Sequence, residues 1–273
     1  MECVIKDTSV YYETRGEGRP IVMLHGLADS HLLMASYLEP SFEQRDGWKR
    51  IYLDLPGMGN TQGPDWISNS DQMLEAVLDF IEAVIPQQPF TLAGYSYGAY
   101  LARGVVCRKF NLVEGLMLIC PVVIADHSKR SRPAHKTLVK DAVFVASLEP
   151  RLQEVFDSIA VVQNQRVWDR SQVRIEAEKL ADGDFISRLQ ANSGYPFSFD
   201  PDAIASPLEK PTLIVTGRQD AVVGYQDAWR ILENYPRATF AVLDLAGHNL
   251  PAEQERVFTA LASEWLDRIE ERN

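Results

Sequence analysis

The chain is poor in the features that mark several large protein classes. Cysteine occurs only at positions 3, 107 and 120. An odd, sparse set builds no disulfide framework, and no Cys-x-x-Cys pair points to zinc. Three reduced thiols suit a cytoplasmic protein. Basic residues are in deficit, with 27 Lys and Arg against 38 Asp and Glu and a formal charge of −11. Binding to nucleic acid needs a basic footprint, and none is present. The same acidity disfavours docking on anionic membranes. Long apolar runs are also missing. The longest, near residues 116–125, is interrupted by Pro121, whereas a membrane-spanning helix needs about 20 apolar residues. The opening MECVIKDTSVYYETRG lacks the basic-then-apolar pattern of a secretory signal. Glycine and proline, at 16 and 15 of 273 residues, exclude collagen-like and low-complexity chains.

What remains is a chain of ordinary globular composition, long enough for one large domain with an inserted subdomain. Residues 4–10 and 10–14 read as an N-terminal hairpin. Residues 21–24, 51–53, 90–93, 116–119, 213–215 and 240–243 are short continuous apolar runs, as expected of strands buried on both faces. Helical patterns lie between them. One starts at Asn69 or Ser70, both good caps. It buries Met73, Val77, Ile81 and Val84 at a period near 3.6, and Pro86 ends it. The last starts at Pro251, a favoured first position, with Phe258, Leu261, Ala262, Trp265 and Ile269 as its inner stripe. This alternation predicts an α/β fold with a mostly parallel sheet flanked by helices. Residues 123–207 break the rhythm. They are helical and polar-rich, and too long for a loop. They read as an inserted helical subdomain, with residues 1–122 and 208–273 forming the core.

The strongest chemical signal is Gly94-Tyr95-Ser96-Tyr97-Gly98, a G-x-S-x-G pattern between a strand and a helix. Such a turn lifts the serine hydroxyl above the sheet, and the glycines let neighbouring backbone approach. The following helix start offers unpaired N–H groups. A serine hydroxyl needs a base near neutral pH. Of five histidines, His248 follows the run 240–243 and falls on the sheet edge that carries Ser96. His127 and His135 read as solvated, His25 as structural and His31 as a helix-surface residue. The local basic run Lys129, Arg130, Arg132 and Lys136 reads as a solvated face. Asp220 follows the run 213–215 and is the expected orienting carboxylate, with Asp126 and Asp54 as rivals. No metal-ligand spacing appears, so no metal or organic cofactor is expected.

These residues together resemble the α/β-hydrolase superfamily, the order Ser, Asp, His included. The resemblance covers nearly the whole chain outside 123–207. It is carried by Leu24-His25-Gly26-Leu27, Asp54 to Gly59, Gly94 to Gly98, Thr216 to Asp220 and Gly247-His248. It implies an oxyanion hole from the backbone N–H groups of Leu27 and Tyr97, and an insert that acts as a cap over the nucleophile. Serine at position 96 disfavours the dehalogenases and epoxide hydrolases of the fold, which use aspartate. Asn249 and Leu27-Ala28-Asp29-Ser30 depart from meta-cleavage-product hydrolases, and Tyr95 and Tyr97 depart from prolyl aminopeptidases. The expectation is a serine hydrolase acting on a small carboxylic ester or thioester through an acyl-enzyme. An acyltransferase, or a ligand sensor on the same fold, is the alternative. Tyr195, Phe197 and Phe199 are the candidate pocket wall, and a monomer or homodimer is expected.

Overall fold

The computed structural model describes residues 1–191 and 194–271. Positions 192 and 193 of the expected insert, and 272 and 273 of the expected core, lie outside the described residues. An N-terminal hairpin is present, but it pairs β1 (Glu2–Ile5) with β2 (Thr8–Arg15) and turns at residues 6–7 rather than at Val10, which lies within β2. Then come β3 (Arg19–Leu24), α1 (His31–Leu38), β4 (Trp48–Leu53) and α2 (Ser70–Val84). Next are β5 (Phe90–Tyr95), α3 (Tyr97–Lys109) and β6 (Val113–Ile119). A segment outside the main sheet comes after β6. It holds β7 (Val139–Lys140), α4 (Ala142–Ala146), α5 (Pro150–Ile159), β8 (Val162–Gln163), α6 (Gln165–Leu180) and α7 (Gly183–Gln190). The chain returns with β9 (Thr212–Gly217), α8 (Gln226–Trp229), β10 (Ala238–Leu243), α9 (Leu250–Glu253) and α10 (Glu255–Glu270).

Eight strands form one sheet in the order β1-β2-β4-β3-β5-β6-β9-β10. The pairs β1–β2 and β2–β4 are antiparallel, and the five from β4–β3 to β9–β10 are parallel. β3, β5, β6 and β9 are buried almost throughout, as their apolar runs predict. β10 differs: every residue is half-buried. It is the sheet's edge, with β9 as its neighbour on one side. β7 and β8 form a separate two-stranded parallel ribbon that periodicity missed, since two residues carry no pattern. Helix α2 is capped by the Asn69 side chain, which accepts from the Gln72 N–H, and buries Met73, Val77 and Ile81. The C-terminal helix predicted from Pro251 is two helices. Gln254 leaves helical geometry at φ −119°, ψ 41°, and the Glu253 side chain is turned inward beside the break.

The parallel register gives the sheet a functional edge. The carboxyl ends of β3, β5, β6, β9 and β10 lie together there, so the loops leaving them meet. Crevices at that edge are where open α/β sheets bind ligands.

Candidate active site

Ser96 sits between β5 and α3 at φ 54°, ψ −112°, a conformation that L-residues rarely adopt. The local sequence permits it. A Cβ at Gly94 would stand 2.5 Å from the Gly98 carbonyl oxygen, and one at Gly98 would collide with the carbonyls of Leu24 and His25. Gly94 thus lets the first turn of α3 fold back against β5, and Gly98 lets the elbow press against the end of β3. The Ser96 N–H donates to the Ile119 carbonyl at 2.9 Å, which fixes the turn to β6.

His248 Nε2 lies 2.9 Å from Ser96 Oγ, and His248 Nδ1 lies 2.9 Å from Asp220 Oδ2. The carboxylate partner sets the tautomer, so Nδ1–H donates to Asp220 and Nε2 accepts from the Ser96 hydroxyl. Asp220 is fully buried. Its Oδ1 accepts the backbone N–H groups of Val222 and Val223 at 2.8 and 2.9 Å. Burial pushes its carboxyl up, but the His248 imidazole and these amides outweigh burial and hold it below the ordinary carboxylate range. Tyr97 opens α3, so its N–H has no acceptor within the helix. Among the described residues no acceptor engages the amide of Leu27 or Tyr97.

Cys120 lies beside this relay, and its sulfur with one ligand atom each of Asp220 and His248 falls within 4.8 Å. The set fits a metal poorly. Asp220 and His248 are committed to each other, and burial pushes the Cys120 thiol well up, away from the thiolate a metal takes.

Above Ser96 and His248 is a cavity of about 790 Å³, within the range of small-molecule sites. Leu27 and Val122 wall it from the sheet edge, and Phe156, Ile159, Trp168, Arg174 and Ile175 from α5 and α6. Tyr195 also lines it; Phe197 and Phe199 do not. Those two rings stack against α3 instead. Phe197 lies 4.2 Å from Tyr100 and 4.8 Å from Phe199, centroid to centroid. The Phe197 N–H also donates to Tyr100 Oη at 2.7 Å. They hold the returning chain to the core, which is what alternate apolar residues do when a helix surface faces them.

Several side chains fall elsewhere than expected. His31 is buried rather than on a helix surface, because its N–H and Nδ1 both bind Asp54 Oδ1, at 2.7 and 2.9 Å. That engagement occupies Asp54. The rival Asp126 is exposed and accepts from the Ser128 hydroxyl and N–H. Arg130 is not part of a solvated face. It donates to the carbonyls of Ile124, Ala125 and Val222 and lines the cavity with Asp126 and His127. His25 accepts the Leu55 N–H at Nε2 (2.9 Å), a structural bond as expected. Arg174 and Glu253 were not singled out from sequence. Each is one charged residue in a polar helical stretch, and no local signal separates it from its solvated neighbours.

A serine at a strand–helix elbow, joined through histidine to a buried aspartate, is the arrangement of a hydrolytic enzyme on a parallel sheet. Residues 19–254 match the model of the alpha/beta hydrolase fold family, and the chain belongs to that family. It superposes on an alpha/beta superfamily hydrolase from Oenococcus oeni with a TM-score of 0.89 and 31% identity, over 99% of both chains. Among relatives, it is 24% identical over 247 residues to a pimeloyl-[acyl-carrier protein] methyl ester esterase of Nitrosomonas europaea. That match covers 88% of this chain and 92% of the relative. It is 22% identical over 261 residues to a 2-hydroxy-6-oxo-6-(2'-aminophenyl)hexa-2,4-dienoic acid hydrolase of Metapseudomonas resinovorans, covering 94% and 87%. The chain is an enzyme of the hydrolase class. Among the described residues, no helix is long and apolar enough to cross a membrane.

Proposed function

We propose that the protein is a serine hydrolase that cleaves a carboxylic ester or thioester through an acyl-enzyme. The observation that carries this is the unbroken relay from Ser96 Oγ through His248 to Asp220, with both contacts at 2.9 Å. Ser96 Oγ attacks the substrate carbonyl carbon while His248 Nε2 takes the hydroxyl proton. The carbonyl oxygen becomes an oxyanion that accepts from the Leu27 and Tyr97 amides, each worth roughly 3–4 kcal/mol in such sites. The intermediate collapses as protonated His248 returns the proton to the leaving alkoxide or thiolate. Water then attacks the acyl-enzyme with His248 again as base, and the acid leaves. Asp220 keeps the imidazole in its tautomer and stabilises its cation.

Residues 123–207 are the cap in this reading, closing over the core of 1–122 and 208–273. The esterase relative acts on an ester, which supports the reaction class. Three free thiols support a cytoplasmic setting. The test is labelling with a fluorophosphonate, read by peptide mass spectrometry, beside turnover of p-nitrophenyl esters. Labelling at Ser96, and loss of labelling and turnover in Ser96→Ala, are expected. A Ser96→Ala enzyme with undiminished turnover refutes the reading.

A further inference from the structure

Arg174 projects from α6, in the segment between β6 and β9, and its guanidinium meets residues beside Ser96, His248 and Leu27. Nη1 donates to Tyr95 Oη at 2.9 Å and to Asn249 Oδ1 at 2.7 Å. Nε stands 3.5 Å from Asp29 Oδ1. Tyr95 precedes Ser96, Asn249 follows His248, and Asp29 lies two residues beyond Leu27. The contacts close on themselves, because Tyr95 Oη also donates to the His248 carbonyl at 2.8 Å. Asp29 is 1% exposed, and among the described residues neither of its carboxylate oxygens has a hydrogen-bond partner. With no hydrogen bond to either oxygen, the buried Asp29 carboxylate has an opposite charge beside it in Arg174.

We infer that Arg174 is a positioning residue: with α6 seated over the sheet edge, its guanidinium draws the loops of Ser96, His248 and Leu27 into one geometry. The inference rests on the serine-hydrolase reading. A guanidinium suits the task because its planar fork presents donors in fixed directions. A lysine ammonium can face Asp29, but it lacks the reach to hold Tyr95 and Asn249 at the same time. The reactivity of Ser96 then depends on how the cap is seated, even for substrates too small to touch it.

The experiment compares the rate of Ser96 labelling by fluorophosphonate and the turnover of p-nitrophenyl acetate in wild type, Arg174→Lys and Arg174→Ala. Circular dichroism verifies folding, and the Lys variant decides the matter if the Ala variant does not fold. Misplacement by about 1 Å costs on the order of 10²-fold in rate. Arg174→Ala should therefore label about 10²-fold more slowly, with kcat lost rather than KM raised. Non-denaturing guanidinium ion should restore part of that rate. Arg174→Lys should fall between the two. A folded Arg174→Lys or Arg174→Ala enzyme labelled at the wild-type rate overturns the inference. So does a loss confined to KM for carboxylate-bearing esters, which makes Arg174 a substrate contact. A wild type unlabelled at Ser96 refutes the serine-hydrolase reading itself, and this inference with it.

Discussion

At the scale of single residues, the site depends on one strained backbone and one buried charge. Ser96 at φ 54° costs on the order of 1–3 kcal/mol, and the approach allowed by Gly94 and Gly98 holds it there. Asp220 is an anion with no exposure, tolerable because His248 and two amides face it. Its substitution by asparagine keeps the shape and alters the imidazole's partner. Asp220→Asn should therefore lower turnover of a p-nitrophenyl ester by about 10⁴-fold, measured as kcat at pH 8. The same carboxylate has an acid signature. Its folded pKa lies below the unfolded value, so its stabilisation is present above the unfolded pKa of 3.8. It is lost as pH falls through the folded one. Urea unfolding of wild type below pH 4 should show that loss, and Asp220→Asn should show less of it. Ser96, Asp220 and His248 were legible because each follows an apolar run that can be read locally. Arg174 and Asp29 were not, since their meaning lies in a contact between residues 145 positions apart in the chain, which no spacing rule encodes.

At the scale of elements, the helix break at Gln254 has a structural cause. Glu253, 2% exposed, accepts the Gly247 N–H at 2.6 Å and the Val161 and Val162 N–H groups at 2.6 and 3.2 Å. One carboxylate thus joins the loop of His248 to β8. Burial pushes its pKa up to about 7, against the pull of these amides. The folded value exceeds the unfolded 4.5, so the contribution is most favourable below 4.5 and is lost as pH rises through 7. Glu253→Gln does not titrate. Wild type should lose stability relative to Glu253→Gln between pH 5 and 8, by roughly 3 kcal/mol from the shift, measured by urea unfolding at both ends. Equal pH dependence in the two proteins would mean that Glu253 is not the group involved. At the elbow, Gly98→Ala drives a methyl into the carbonyls of Leu24 and His25, and such overpacking costs about 1–3 kcal/mol. A lowered melting temperature with slower labelling of Ser96 is the expected outcome. Strands and long helices were legible from period and caps. The β7–β8 ribbon and the α9–α10 break were not, because tertiary hydrogen bonds create both.

For the whole molecule, the parallel register gathers the loops of β3, β5, β6, β9 and β10 at one edge, and residues of α5 and α6 line the cavity beside them. The alternation of runs made that plan legible. The cavity was legible only in part, because its wall is chosen by how α5 and α6 lie on the edge. Tyr195 lines it, while Phe197 and Phe199, equally aromatic, face α3. The result is a chamber of about 790 Å³ with Phe156, Ile159, Trp168 and Ile175 on its inner faces, and on the proposed serine-hydrolase reading this apolar wall would receive the acyl chain. Each methylene buried there is worth about 0.8 kcal/mol, equivalent to roughly fourfold in kcat/KM at full burial. The expected profile over p-nitrophenyl acetate, butyrate, hexanoate and octanoate is a steady rise in kcat/KM. Replacing Trp168 by alanine enlarges the chamber and should carry the rise on to esters longer than octanoate while p-nitrophenyl acetate turns over much as before. A profile that falls from acetate onward would show that the acyl chain does not enter this chamber. The apolar wall would then belong to the leaving group, a conclusion that phenyl, naphthyl and alkyl acetates compared at fixed acyl length would test.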